Sequence, residues 1–313
     1  TRFISRPVNQ RISVLFRELL SKTRMKTRPI ILLLLLLNCQ IHAQESKPQA
    51  KDTLKPLVLG QSLGIQSQEL NEKRNLNIYL PEGYNQADTI KYPVIYLLDG
   101  GMDEDFIHVV GLIQFNNFSW INRVPKSIVV GIENVDRKRD LTFVSSVESE
   151  KKRYPEAGHS GNFINFIEKE LQPFIDKKYN TSDSKMLIGQ SIGGLFAVEV
   201  LLKKPLLFNK YIIVSPSIWW DNGSILNTSS ELLLEKFNRP TEVCISVGKE
   251  GLTPSEIPRV MEVDANLLVE KLKSSKSKNL NVYFDYLPLE DHATISHQAI
   301  FNALRLLYPV NTK

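Results

Sequence analysis

Between the apolar run Lys185–Ile188 and the helix-forming stretch Ile192–Lys203 lies Gly189-Gln190-Ser191-Ile192-Gly193-Gly194. A strand that turns into a helix within so few residues must bend sharply. The residue at the bend takes a strained backbone, and its neighbours must be small where a side chain would strike the adjacent elements. Gly-x-Ser-x-Gly in that context lifts the serine hydroxyl above the carboxyl edge of a sheet and leaves the next N–H, that of Ile192, at a helix N-terminus where negative charge is stabilised.

The rest of the chain supplies the sheet this turn needs. Short apolar runs predict strands at Ser62–Gln68, Asn75–Leu80, Val94–Leu98, Ser127–Ile132, Lys185–Ile188, Tyr211–Val214, Glu242–Val247 and Leu280–Tyr286. Helical patterns fall at Asp103–Asn122, Asn162–Tyr179, Ile192–Lys203, Ile225–Phe237, Arg259–Lys273 and Ile295–Tyr308. Val94-Ile95-Tyr96-Leu97-Leu98 is apolar without alternation, as a strand covered on both faces must be. Phe163, Phe166, Ile167, Leu171 and Phe174 repeat at helical spacing with Glu170 as the polar exception, and Ser160 stands where an N-cap belongs. Strands alternating with helices predict an α/β fold, a mostly parallel sheet of about eight strands with helices on both faces, its first two strands antiparallel.

The opening residues read differently. Met25, Lys26 and Arg28 precede the apolar run Ile30–Leu37 and then Ile41-His42-Ala43. A basic start, a short apolar core and a small residue at the exit predict a signal peptide over Met25–Ala43, too short to span a bilayer. Residues 1–24 read as an upstream extension, 44–56 as a linker and 57–313 as one domain, exported to the periplasm or outside the cell. A lipid anchor on Cys39 is the weaker reading, because Asn38 is a poor fit to the small residue such a site prefers. Of the 39 Lys and Arg and 34 Asp and Glu in the chain, eight and one lie before Gln44, leaving 31 basic against 33 acidic residues. The high pI of about 9.0 therefore belongs to the leader, and the domain carries no excess of positive charge for nucleic acid. Beyond the leader Cys244 is the single thiol, set in an apolar run that predicts burial.

A serine at its ordinary pKa needs a base. Of the five histidines, His42 lies in the leader, His108 sits among apolar helix residues, and His159 precedes the serine in the chain. His292 follows the last strand in Glu290-Asp291-His292-Ala293 and precedes the last helix, where a serine–acid–histidine order places the base; His297 lies a turn into that helix. The carboxylate that orients the imidazole is expected after the penultimate strand at Glu250, with Glu256 and Asp221 as alternatives. A second oxyanion donor is expected from Leu98-Asp99-Gly100-Gly101, at the N–H of Gly101, with Asp99 bracing the loop. Trp219 and Trp220, adjacent on the loop after Val214, are candidates for a substrate wall.

Together Tyr92–Gly101, Ile128–Asn134, Arg139–Thr142, Gly189–Gly194, Ser215–Trp220 and Glu290–Ala293 resemble the putative esterase family, which includes esterase D, bacterial feruloyl esterases, mycolyltransferases and enterobactin-type siderophore esterases. The resemblance runs from about residue 60 to the C-terminus. It implies an α/β-hydrolase fold, neither metal nor other cofactor, and a small-molecule ester or thioester substrate cleaved through an acyl-enzyme. It supports Ser191 and His292 in the catalytic roles and Gly101 and Ile192 as oxyanion donors; Glu250 stands where the family often has Asp. Carboxylic ester hydrolysis is the reading that follows. A siderophore trilactone esterase, an acyltransferase and a non-catalytic binding scaffold of the same fold are the alternatives, and Trp219-Trp220 looks most like the siderophore-esterase branch.

Overall fold

The computed structural model describes residues 54–310, and the chain from Val58 onward forms one compact unit. The leader, Cys39 and most of the expected linker lie outside the described residues. Eight strands, β1 (Gln61–Ser67), β2 (Glu72–Tyr79), β3 (Tyr92–Leu97), β4 (Ile128–Ile132), β5 (Thr181–Gln190), β6 (Lys210–Val214), β7 (Thr241–Gly248) and β8 (Leu280–Leu287), form a single sheet in the order β1-β2-β4-β3-β5-β6-β7-β8. β1 pairs antiparallel with β2 and β2 antiparallel with β4, while every other pairing is parallel. This is the α/β-hydrolase fold.

Alternation along β3 explains why its sequence carries no polar face. Val94 and Tyr96 enter one core and Ile95 and Leu97 the other. Helices α1 (Phe106–Asn117) and α8 (Ile295–Leu307) cover the face that holds Ile95, Ile188, Ile212 and Cys244. The opposite face holds Tyr96, Leu187, Tyr211 and Val243. It packs against α4 (Ser160–Phe166), α5 (Gln172–Lys178), α6 (Ile192–Lys203) and α7 (Met261–Lys273).

The expected helix Asn162–Tyr179 is interrupted by a π-turn at Ile167–Leu171. There Glu170 accepts hydrogen bonds from Gln68 N (2.8 Å), Glu69 N (3.0 Å) and Ser67 Oγ (2.6 Å). The polar exception in the helical pattern is thus the clamp that closes the β1–β2 turn. Ser160 is the first helical residue rather than the cap, which is His159. Ile225–Phe237 is not a helix: two 3₁₀ segments, Trp220–Asn227 and Glu231–Leu233, replace it. Asp221, Asn222 and Gly223 turn with positive φ ahead of it, and Ser230 captures the N–H of Leu232 with its side chain, the competition by short polar groups that stops helices. Two short helices escape the periodicity reading, α2 (Arg137–Leu141) and α3 (Glu148–Arg153). The Asp136 carboxylate caps α2 through Arg139 N, and Asp140 is buried in an ion pair with Arg74.

Candidate active site

β5 ends at Gln190 and α6 begins at Ile192, so the turn is one residue long. Ser191 takes φ 58° and ψ −119°, a conformation unfavourable for any side-chain-bearing residue. Backbone bonds hold it there: Ser191 N donates to Val214 O, and Ser191 O accepts from Leu195 N and Ser217 N, each at 2.9 Å. The flanking glycines leave room. A Cβ on Gly189 would lie 2.4 Å from Gly193 O, and one on Gly194 would lie 3.0 Å from Pro216 Cα.

Above this turn, Ser191 Oγ lies 2.9 Å from His292 Nε2, and His292 Nδ1 lies 2.5 Å from Glu250 Oε2. With its proton on Nδ1, His292 donates to Glu250 and accepts from the serine hydroxyl. The Glu250 carboxylate is buried and also accepts from Ser215 Oγ and Gly248 N. Burial alone would raise its pKa, but the hydrogen bonds from His292 and Ser215, the His292 charge and the Gly248 N–H together hold it below the usual carboxylate range. The loop itself is fixed from behind, since the Glu262 carboxylate accepts from the backbone N–H of both Glu250 and Gly251 at 3.0 Å. Neither alternative carboxylate reaches His292. Glu256 accepts from Ser149, and Asp221 is bound by Ser145, Ser146 and Ser224.

Gln190, the unspecified position of the Gly-x-Ser motif, is a residue the sequence did not single out. Its amide donates to His292 O at 2.7 Å while its carbonyl accepts from Ser296, which pins the histidine loop to the nucleophile turn. Ser217 is another: its buried hydroxyl lies 3.3 Å from Ser191 Oγ. Of the remaining histidines, His297 sits with its ring 5.7 Å from that of His108, whose side chain is 30% exposed rather than packed in the core.

The loop after β3 departs from expectation at its donor. Asp99 braces it, bound by Arg137 Nε at 2.5 Å and Asn134 Nδ2 at 2.7 Å. But Gly101 N, expected to face substrate, donates to Glu104 Oε2 at 2.8 Å. The acidic side chain three residues on folds back onto this N–H, and Asn134 holds its other oxygen at 2.6 Å.

A cavity of about 360 Å³ opens over Ser191, walled by Trp219, Leu252, Pro254, Met261 and His292. Of the two tryptophans expected to form a substrate wall, Trp219 lines this cavity and Trp220 does not. Trp220 is 2% exposed and its indole N–H donates to Phe143 O at 2.8 Å, a packing role set by a buried N–H needing an acceptor. Trp219 and Pro254 are shared with a second cleft of about 230 Å³, where Arg153 and Tyr154 meet Ser149 and Glu256. Lys138 Nζ stands 4.6 Å and Arg153 Cζ 5.3 Å from the Tyr154 ring centre.

Residues 67–286 match the family described as putative esterase. The chain belongs to this family. The chain is 30% identical over 254 residues to the ferri-bacillibactin esterase BesA of Bacillus subtilis (strain 168), covering 76% of this chain and 87% of the relative. Among solved structures it is similar to an IroE-like serine hydrolase from Shewanella oneidensis, with TM-score 0.70 and 33% identity over 80% of each chain. It is also similar to the BES protein from Bacillus cereus, with TM-score 0.70 and 27% identity over 83% of this chain and 98% of the other. The chain is accordingly a carboxylic ester hydrolase.

Proposed function

We propose that this esterase works through an acyl-enzyme, with Ser191 as nucleophile, His292 as general base and Glu250 as the carboxylate that orients the imidazole. The observation that carries the reading is the continuous Ser191–His292–Glu250 hydrogen-bonded array, at 2.9 and 2.5 Å, at the floor of the cavity. As Ser191 Oγ attacks the ester carbonyl, its proton passes to His292 Nε2, and the imidazolium is stabilised by Glu250. Collapse of the tetrahedral intermediate returns that proton to the leaving alkoxide. A water then repeats the sequence on the acyl-enzyme, with His292 again taking the proton, and releases the acid. Ile192 N–H supplies oxyanion stabilisation at the helix N-terminus, joined by Gly101 N–H once Glu104 is displaced. The His292 side chain is 46% exposed, which gives water a route to the base for deacylation.

The leader pattern at Met25–Ala43 supports export to the periplasm or beyond. A second reading concerns substrate. The named siderophore esterases among the relatives, together with Arg153 and Tyr154 in a cleft joined to the cavity through Trp219 and Lys138 over the same ring, favour an ester carrying an anionic aromatic group such as a catecholate trilactone.

Labelling with a fluorophosphonate, mapped by mass spectrometry, tests the chemistry, beside hydrolysis of p-nitrophenyl, feruloyl and catecholate trilactone esters. The expected result is an adduct on Ser191, turnover abolished in Ser191→Ala, and a preference for the trilactone that Arg153→Ala reduces through KM. An unlabelled, inactive wild type would return the chain to the scaffold reading.

A further inference from the structure

The parallel topology sorts the loops into two ends, and the ends differ in charge. Strands β3 to β8 run toward the active site, and the helices return away from it. The loops that enter these strands (80–91, 118–127, 179–180, 204–209, 234–240 and 274–279) hold eight Lys and Arg against three Asp and Glu. The segments that leave them (98–105, 133–159, 191, 215–219, 249–260 and 288–294) hold eight against fourteen. A domain with little net charge is therefore a dipole, basic at the end remote from the site. Lys177, Lys178, Lys203, Lys271, Lys273 and Arg305 add to the same end from helix last turns, where complementing the helix dipole accounts for them. The loop cations have no such explanation. Among the described residues, Lys91, Arg123, Lys236, Lys276 and Lys278 form no salt bridge with a carboxylate.

Apolar side chains stand among these cations. Trp120 is 77% exposed and stacks on Phe118 with ring centres 4.6 Å apart, and Phe118 meets Phe115 at 6.2 Å. Leu206, Ile90 and Leu234 are exposed on three further loops of the same end. Beside the Trp120 loop, a cleft of about 490 Å³ brings Arg123 and Arg305 together over Phe284 and Leu306; its carboxylate, Asp285, is engaged by Asn302. Exposed apolar residues occur at the active-site end as well, but there they sit among carboxylates.

We propose that the end of the sheet remote from Ser191 is a docking face for an anionic lipid surface, with Lys236, Lys276 and Lys278 at the entries to β7 and β8 and Arg123 at the entry to β4 held at the headgroups, and Trp120 and Phe118 inserted beside Arg123. Cations spaced over a face attract such a surface from a Debye length away, and an indole ring with its partner ring prefers the interface to water. Docked this way, the esterase turns the Ser191 cavity away from the bilayer, toward a soluble substrate.

The test is co-sedimentation of the full chain with vesicles of phosphatidylcholine alone and of phosphatidylcholine mixed with phosphatidylglycerol, at low and high salt. The wild type is expected to bind the mixed vesicles, with affinity falling at least about tenfold on raising the salt or in Lys276→Glu/Lys278→Glu, since each cation near the surface contributes comparably. Trp120→Ser should weaken binding further and remove the blue shift in tryptophan emission. The leader is common to all variants, so differences among them report on the domain. Unchanged hydrolysis of p-nitrophenyl acetate shows that the variants fold, and the milder pair Lys276→Gln/Lys278→Gln, with a proportionately smaller loss of binding, decides the matter if they do not. Equal binding to both vesicle types, or charge reversal without effect, overturns the proposal. So does equally tight binding to soluble polyphosphate with no tryptophan shift, which would assign the face to an anionic polymer.

Discussion

The Glu104 carboxylate occupies Gly101 N–H, the donor that the proposed mechanism assigns to the ester carbonyl. A neutral carbonyl competes poorly with a carboxylate for one N–H, so in the proposed mechanism the ground-state complex pays to move Glu104 aside. Glu104→Ala is therefore expected to raise kcat/KM for a small ester about two- to tenfold, and Glu104→Gln to raise it less; a fall in both variants would mean that Glu104 positions the loop rather than blocks it. The acid position makes a graded prediction. Ser191→Ala and His292→Ala should each lower kcat by several orders of magnitude, whereas Glu250→Gln, which keeps the shape but loses the charge that steadies the imidazolium, should cost less. Full activity in Glu250→Gln would remove it from the mechanism. The depressed Glu250 pKa sets the acid side of stability. The carboxylate's contribution is present above its unfolded pKa and is lost as pH falls through the lower folded value. Ser191 and His292 were legible because motif and chain order confine them. Gln190 and Glu104 were not, since their work is done through contacts 102 residues away in one case and a local fold-back of an exposed acid in the other.

At the scale of elements, the central strands were legible because strands buried on both faces cannot hide their apolar runs, while β5 starts at Thr181, ahead of its predicted start, where its residues are only partly buried. Helices failed where side chains outbid the backbone: Glu170 clamps the π-turn, and Ser230 ends a run that looked helical. Losing Glu170 leaves two backbone N–H groups without their acceptor. Glu170→Ala is expected to destabilise the domain by about 1–3 kcal/mol, the cost of unsatisfied polar groups, measured by chemical denaturation. The entry to α1 carries an opposite case. Asp105 precedes α1 and its pKa is raised to about 6, first by burial, then by Asp99 and Glu104, with Arg137 opposing. Its folded value lies above the ordinary carboxylate value, so the folded state binds the proton more tightly. Stability from this group falls as pH rises from about 4 to about 6. Asp105→Asn should therefore stabilise the protein at pH 7 by about 1–2 kcal/mol, discounting for the partly exposed side chain, and leave it unchanged near pH 4. Equal melting shifts at both pH values would place the effect in helix propensity instead.

The whole molecule depends on where the chain becomes committed to the sheet. Leu59 packs against the core that holds Tyr79 and Val124, and a Cβ on Gly60 would lie 2.4 Å from Ile78 O, so the domain is tied down from these residues onward. Leu57 and Leu54 are wholly exposed and contribute no burial. Apolar burial at roughly 25 cal/mol per Å² is the main favourable term in folding, so removing residues that bury nothing should leave stability unchanged. A chain beginning at Val58 is expected to match one beginning at Leu54 in melting temperature and in kcat/KM for p-nitrophenyl acetate. A chain beginning at Leu70 loses β1, and with it Ser67, Gln68 and Glu69, the partners of Glu170. It also exposes the edge of β2, whose Leu76 and Ile78 lie in the core, and should melt lower and aggregate as unprotected strand edges do. If the Val58 chain were as unstable as the Leu70 chain, the stability of the sheet would have to be drawn from residues ahead of Val58 rather than from the β1 pairing that closes it.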